Sequence, residues 1–109
     1  MKTYLVVAVM VAVLTGAAPT VAQQDSLRLA SDLGSVLGGE AGCGLKYDQA
    51  AIKAFIDAKV RPDDMQFPSL LRTMSQGAAM QMKSMSESEK TAYCTQVKRV
   101  AKTNKFIRD

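Results

Sequence analysis

The residues with chemistry to offer are a pair of cysteines, a group of methionines and a cluster of lysines and arginines near the C-terminus. The chain has no histidine. No side chain therefore titrates near neutrality without a perturbed environment, and the usual general base and proton shuttle are missing. Cys43 and Cys94 stand far outside the C-x-x-C spacing of redox and metal sites, with no third cysteine to complete a ligand set. In an oxidising compartment an even pair reads as a structural disulfide. The segment it closes gives roughly 4 kcal/mol in the chain-entropy model. Lys83-Ser84 and Ser88 with Lys90 are formal serine–lysine pairs, yet nothing separates them from solvated helix surface. Asp63-Asp64 reads as a helix cap, where short acidic side chains are favoured. We expect no catalytic residues and no enzyme.

Met74, Met80, Met82 and Met85 have soft thioethers that suit Cu(I), and the Met80-x-Met82-x-x-Met85 spacing resembles the methionine motifs of copper-handling proteins. Helical periodicity argues against a shared ion. It puts Met74, Met82 and Met85 on one stripe with Leu70 and Leu71, and turns Met80 well away from them. Adaptable core packing is the better account. The sequence thus implies neither metal nor cofactor.

Charge is unevenly distributed. Lysine and arginine total 14 against 10 acidic residues, a net charge of +4. Basic residues dominate the stretch from Lys90 onward, where Asp109 is the one acid. Lys98, Arg99, Lys102 and Lys105 form a candidate anion-facing patch for an acidic polysaccharide, an outer-membrane surface or an acidic protein. A solvated helix end whose cations complement the macrodipole is the plainer alternative. Nucleic acid is not expected, because no exposed aromatics are interleaved with these cations.

The elements that position these residues follow from pattern. Residues 1–22 have the charged start, short apolar core (Tyr4 through Leu14) and small-residue ending of a secretory signal peptide, cut after Ala22. The apolar run is too short to span a bilayer, which needs roughly 20 apolar residues, so no stable membrane insertion follows cleavage. Residues 23–109 form a single domain, small enough to need a staple.

Four amphipathic stretches follow. The first runs from about Asp25 to Leu37, capped by Asp25 or Ser26 and stopped at Gly38-Gly39; Leu29, Ala30, Leu33, Val36 and Leu37 share its inner face. The second starts at an Asp48 N-cap, with Tyr47 and Ile52 placed as a hydrophobic staple, and ends before Pro62. The third begins within DDMQFPS, with Asp63 or Asp64 as cap and Pro68 suited to its first position. Gly77 is a weak point inside it. The fourth opens with a Ser86/Glu89 capping box and buries Tyr93, Cys94, Val97, Val100 and Ala101. Beyond it the tail can fold Phe106 and Ile107 back over the bundle, with Asn104 as the left-handed residue. The expected fold is all-α: a small four-helix bundle with one disulfide, Cys43 to Cys94, preceded by a signal peptide.

The runs CGLKYDQAAIKAF, DDMQF and MSESEKTAYC with VKRVAK resemble a group of small exported alphaproteobacterial proteins, carried by Cys43, Gly44, Tyr47, Asp48 and Cys94. That resemblance implies a periplasmic or secreted location and no activity. In architecture the chain is also similar to the HdeA family of periplasmic acid-stress chaperones, short exported helical chains with one disulfide across a comparable gap, though this sequence lacks Trp. The expected function is a non-enzymatic periplasmic or secreted accessory protein acting by macromolecular binding, with acid-stress chaperoning as the alternative and methionine-based copper binding as a weaker one.

Overall fold

The computed structural model describes residues 20–108. Most of the expected leader lies outside the described residues. The described chain forms four helices, α1 (Val21–Gly38), α2 (Gln49–Lys59), α3 (Phe67–Met82) and α4 (Glu87–Thr103), joined into an all-α bundle by the Cys43–Cys94 disulfide. No described helix is long and apolar enough to cross a membrane.

Helix α1 starts four residues before the expected Asp25. Thr20 is its N-cap, accepting from the Gln23 backbone N–H, while the Gln23 side chain accepts from the Thr20 backbone N–H. This reciprocal box satisfies two of the helix's orphan donors. Asp25 and Ser26 therefore sit inside the helix, and Ser26 spends its hydroxyl on Asp64 instead. The expected inner face holds: Ala30, Leu33 and Val36 are buried, with Leu29 and Leu37 packed against them.

Helices α1 and α3 run in the same direction at very close range. A Cβ added to Gly34 would come within 2.5 Å of Met74 Cβ, and one added to Gly38 within 2.5 Å of the Ser75 carbonyl oxygen. Ala30, Gly34 and Gly38 recur every four residues, so they form one ridge of minimal height. Two backbones can approach this closely only because no side chains stand between them.

Helix α4 packs at the end of α1. Gly39 faces Tyr93 and Val97, and Cys43 meets Cys94 with their Cα atoms 5.4 Å apart. Helix α2 returns toward the start of α1, since Lys59 and Val60 share a surface hollow with Val21 and Ala22.

Most caps sit where the sequence places them. Asp48 caps α2, accepting from the Ala50 and Ala51 N–H groups, and its flanking staple residues Tyr47 and Ile52 are both buried. For α3 neither expected acid is the N-cap: Gln66 holds that position with no side-chain cap hydrogen bond, while Asp64 Oδ1 accepts from the N–H groups of Gln66 and Phe67 at the helix entrance. Asp63 instead pairs with Arg61. Helix α3 begins at Phe67, so Pro68 is its second residue. Ser86 caps α4, but the expected reciprocal half is altered. The Glu89 carboxylate receives the Ser86 hydroxyl, not the Ser86 backbone N–H.

The methionines divide as the periodicity predicts. Met82 is 4% exposed and Met80 is 69% exposed. Beyond α4 the tail reverses through Lys105, whose φ is +61°. Asn104, the residue expected there, keeps φ at −89° and bonds through its side-chain amide to the Val100 carbonyl. The Val100 carbonyl also accepts the Asn104 backbone N–H, so both donors of Asn104 close on the helix end and the reversal falls to the next residue. Phe106 then enters the core, 1% exposed.

Candidate functional site

The reversal at Lys105 and the start of α2 close on each other. The Asp48 N–H donates to the Phe106 carbonyl oxygen at 2.7 Å, and the Phe106 N–H donates to the Ala101 carbonyl oxygen at 2.8 Å. The Phe106 ring meets Tyr47 at 5.9 Å and Phe55 edge-on at 5.7 Å between centroids. Such tilted and edge-to-face geometries suit the ring quadrupoles. The tail is thereby clamped against the beginning of α2.

Above this clamp lies an open hollow of about 920 Å³, lined by Lys46, Asp48, Lys102, Lys105 and Arg108 over an apolar floor that includes Phe106 and Ile107. Among the described lining residues four are cationic and one is acidic, and the Asp48 carboxylate is already bound to the α2 backbone. Lys46, Lys105 and Arg108 make no ion pair among the described residues. A lining of ammonium and guanidinium donors attracts anions and offers nothing to cations. Lys105 is placed there at a conformational cost: a left-handed residue with a Cβ costs about 1 kcal/mol relative to the right-handed regions, and glycine or asparagine would take that position more cheaply.

Of the four cations nominated from sequence, Lys102 and Lys105 line the hollow. Lys98 and Arg99 are exposed on α4 but are not part of its lining. Lys46 and Arg108 complete it and were not nominated. The signal was divided between two distant stretches. The staple at Tyr47 fixes Lys46 beside the core, and the fold-back of Phe106 fixes the tail beside the same core, so only the two together bring 46 next to 105–108.

A second feature lies where α1 and α3 begin. Asp64 Oδ2 accepts the Ser26 hydroxyl at 2.6 Å while Oδ1 holds the first backbone donors of α3. One carboxylate therefore ties the two helices together. Its pKa is lowered, chiefly by the Ser26 hydrogen bond and further by the Phe67 and Gln66 N–H groups and Arg61, although desolvation opposes this. Exposed Leu27 and Met65 line the hollow of about 560 Å³ beside it.

No described group of His, Cys, Asp or Glu could hold a metal ion. Buried Met82 and exposed Met80 lie in different surroundings, as the helical period expects. Both cysteines are consumed in the disulfide.

No protein-family model, curated protein or solved structure matches the chain.

Proposed function

We propose that this chain is a non-enzymatic accessory protein, periplasmic or secreted, that acts by binding an anionic macromolecule. The observation that carries this reading is the gathering of Lys46, Lys105 and Arg108, with Lys102 beside them, around one hollow whose single acidic lining residue among those described is Asp48. Lys98 and Arg99 extend the positive surface along α4. Like charges held together lower stability through mutual repulsion, and an anionic partner relieves that repulsion on binding.

Export rests on the leader pattern of residues 1–22 and on a disulfide that suits an oxidising compartment. A cut after Ala22 also removes Thr20, and with it the box that caps α1. The mass of the native protein should match a chain beginning at Gln23; recovery of the uncut chain from membranes overturns the export reading.

Binding is tested with the exported protein on an immobilised sulfated polysaccharide. Retention should fall steeply as salt rises above about 0.15 M, because contacts between exposed charges are screened, and Lys102→Gln with Lys105→Gln should elute earlier. Flow-through at low salt sinks the proposal.

The chaperone alternative draws support from Asp64. Acid titrates the carboxylate that ties α1 to α3, beside exposed Leu27 and Met65, and release of the tie widens an apolar surface. Light scattering of an aggregating client, acidified and then neutralised with and without the protein, tests it; unchanged scattering removes this alternative.

A further inference from the structure

We infer that α2 and the C-terminal tail form one latch that opens as a unit while α1, α3 and α4 keep their packing. This goes beyond the anion-binding reading and does not depend on it.

Helix α2 is held shallowly. Close backbone approach joins α1 to α3 and, more narrowly, α1 to α4, and α2 has no comparable approach to another helix. Among its 11 described residues only Ile52 is buried, with Phe55 and Ile56 partly covered beside the core. Helix α4 is held better, burying Val97 and Ala101 and carrying one half of the disulfide. Elements with few buried apolar contacts open at lower cost than the rest of a fold. An 11-residue helix is also marginal in water on its own, so α2 melts when it lifts away.

The tail supplies what the other helices do not. Phe106 is 1% exposed and stands against two rings, Tyr47 and Phe55. Tyr47 belongs to the body of the bundle, because its hydroxyl donates to the Val36 carbonyl and its backbone N–H to the Glu40 carboxylate. Phe55 belongs to α2. One ring from the tail thus fills the seam between body and helix, and the Asp48 N–H closes the same seam by donating to the Phe106 carbonyl. Withdrawing Phe106 strips Phe55 of its edge-on partner and breaks that bond. Lifting α2 strips Phe106 in turn, which makes the opening cooperative.

The segment that moves is tethered on both sides. Cys43 before it is bonded to Cys94 of α4, and Asp64 after it to Ser26 of α1. The tail itself turns through Lys105 at a φ of +61°, a conformation that a residue with a Cβ adopts at a cost. An open latch therefore uncovers Ile52, Phe55 and Phe106 without losing the fold.

Native-state amide hydrogen exchange of the exported, disulfide-bonded protein, followed against urea, tests this. The amides of α2 from Ile52 onward and those of Asp48 and Phe106 should share one protection factor. It should lie roughly tenfold or more below that of the central amides of α1 and α3, with a weaker urea dependence. Phe106→Leu should lower protection of α2 and of the tail together by about tenfold, the loss of two ring contacts. Gly34→Ala, in the α1–α3 contact, should lower protection of α1 and α3 and leave the latch within about twofold, because open and closed latch share that contact. Equal protection and urea dependence in all four helices means one global transition and overturns the latch. Fast exchange at Asp48 and Phe106 with α2 still protected means a fraying tail and overturns it as well, as does a Phe106→Leu effect that spares α2. Should a variant fail to fold, the two levels of protection in the parent decide.

Discussion

Tyr47 donates its hydroxyl to the Val36 carbonyl oxygen at 2.7 Å, closing the last turn of α1 with a side chain from the following loop. Tyr93, from α4, does the same for the neighbouring Ser35 carbonyl. Phenols thus reach two carbonyls in the last turn of α1, and the Val36 carbonyl accepts the Gly39 N–H as well. Burial, reinforced by the Glu40 charge, pushes the Tyr47 pKa up to about 12. A raised pKa means that the folded state favours the neutral phenol. Its contribution is complete below the reference value near 10 and is lost as pH climbs toward 12. Absorbance at the tyrosinate band should rise later in the native protein than in urea, with unfolding setting in across that alkaline window. Tyr47→Phe should cost about 1 kcal/mol by removing one of the two hydrogen bonds that the Val36 carbonyl accepts, the other coming from the Gly39 N–H. Coincident native and urea titrations would contradict this.

The same substitution at three glycines should give opposite signs. Gly34→Ala and Gly38→Ala drive a methyl group into α3, where Met74 and the Ser75 carbonyl already stand. Overpacking of this kind costs about 1–3 kcal/mol. A methyl group at Gly77 meets nothing, so Gly77→Ala in the middle of α3 should gain about 0.5–1 kcal/mol from helix propensity. Urea midpoints of the three variants settle the order.

Reduction of Cys43–Cys94 should lower stability by about 4 kcal/mol on the chain-entropy estimate for a loop of this length, read as a fall in melting temperature. The cysteines are 51 positions apart and join the α1–α2 loop to α4, so the reduced chain should loosen first where those two meet. Thiols that react with an alkylating reagent before any reduction would refute the bridge.

Acid should act through Asp64. Because its folded pKa is lowered, its contribution is present above the ordinary carboxylate value near 4 and disappears as pH falls below it. Asp64→Asn keeps a side-chain carbonyl for the α3 donors but does not titrate. The variant should therefore show a flatter stability profile below pH 4 than the parent. ANS fluorescence during the same titration reports whether apolar surface is uncovered; superimposable profiles would remove Asp64 from the acid response.

Met82→Ala should cost about 2–5 kcal/mol, as for other buried large-to-small changes. Met80→Ala, at an exposed position, should stay within about 0.5 kcal/mol. High-affinity Cu(I) binding that depends on Met80 would overturn the packing role assigned to Met82.

Local signals were legible wherever one residue decides the outcome. Asp48 and Ser86 announce their helices because a short polar side chain answers backbone donors two or three residues away. The apolar stripes announce the core because period alone defines a face. Signals shared between distant residues were not legible. The close α1–α3 approach needs Gly34 and Gly38 to meet Ser75 and Ala78, yet read singly Gly38 looks only like a helix stop. Asp64 was indistinguishable from Asp63 until Ser26 was known to face it. The hollow was half visible for the same reason: Lys102 and Lys105 lie together in sequence, while Lys46 is brought in by the packing of Tyr47 against Phe106.

That last packing also sets an order of events for a chain that emerges N-terminus first. Helix α2 carries Phe55, and the loop before it carries Tyr47; both rings rest on Phe106, which follows all four helices in the chain. The α1–α3 pair has its partners as soon as residue 82 is out. The flank formed by α2 must wait for the tail to arrive and seal it. A chain threaded unfolded through a translocation channel would gain from this delay, because its last seam cannot close on the near side while the segment that closes it is still being made.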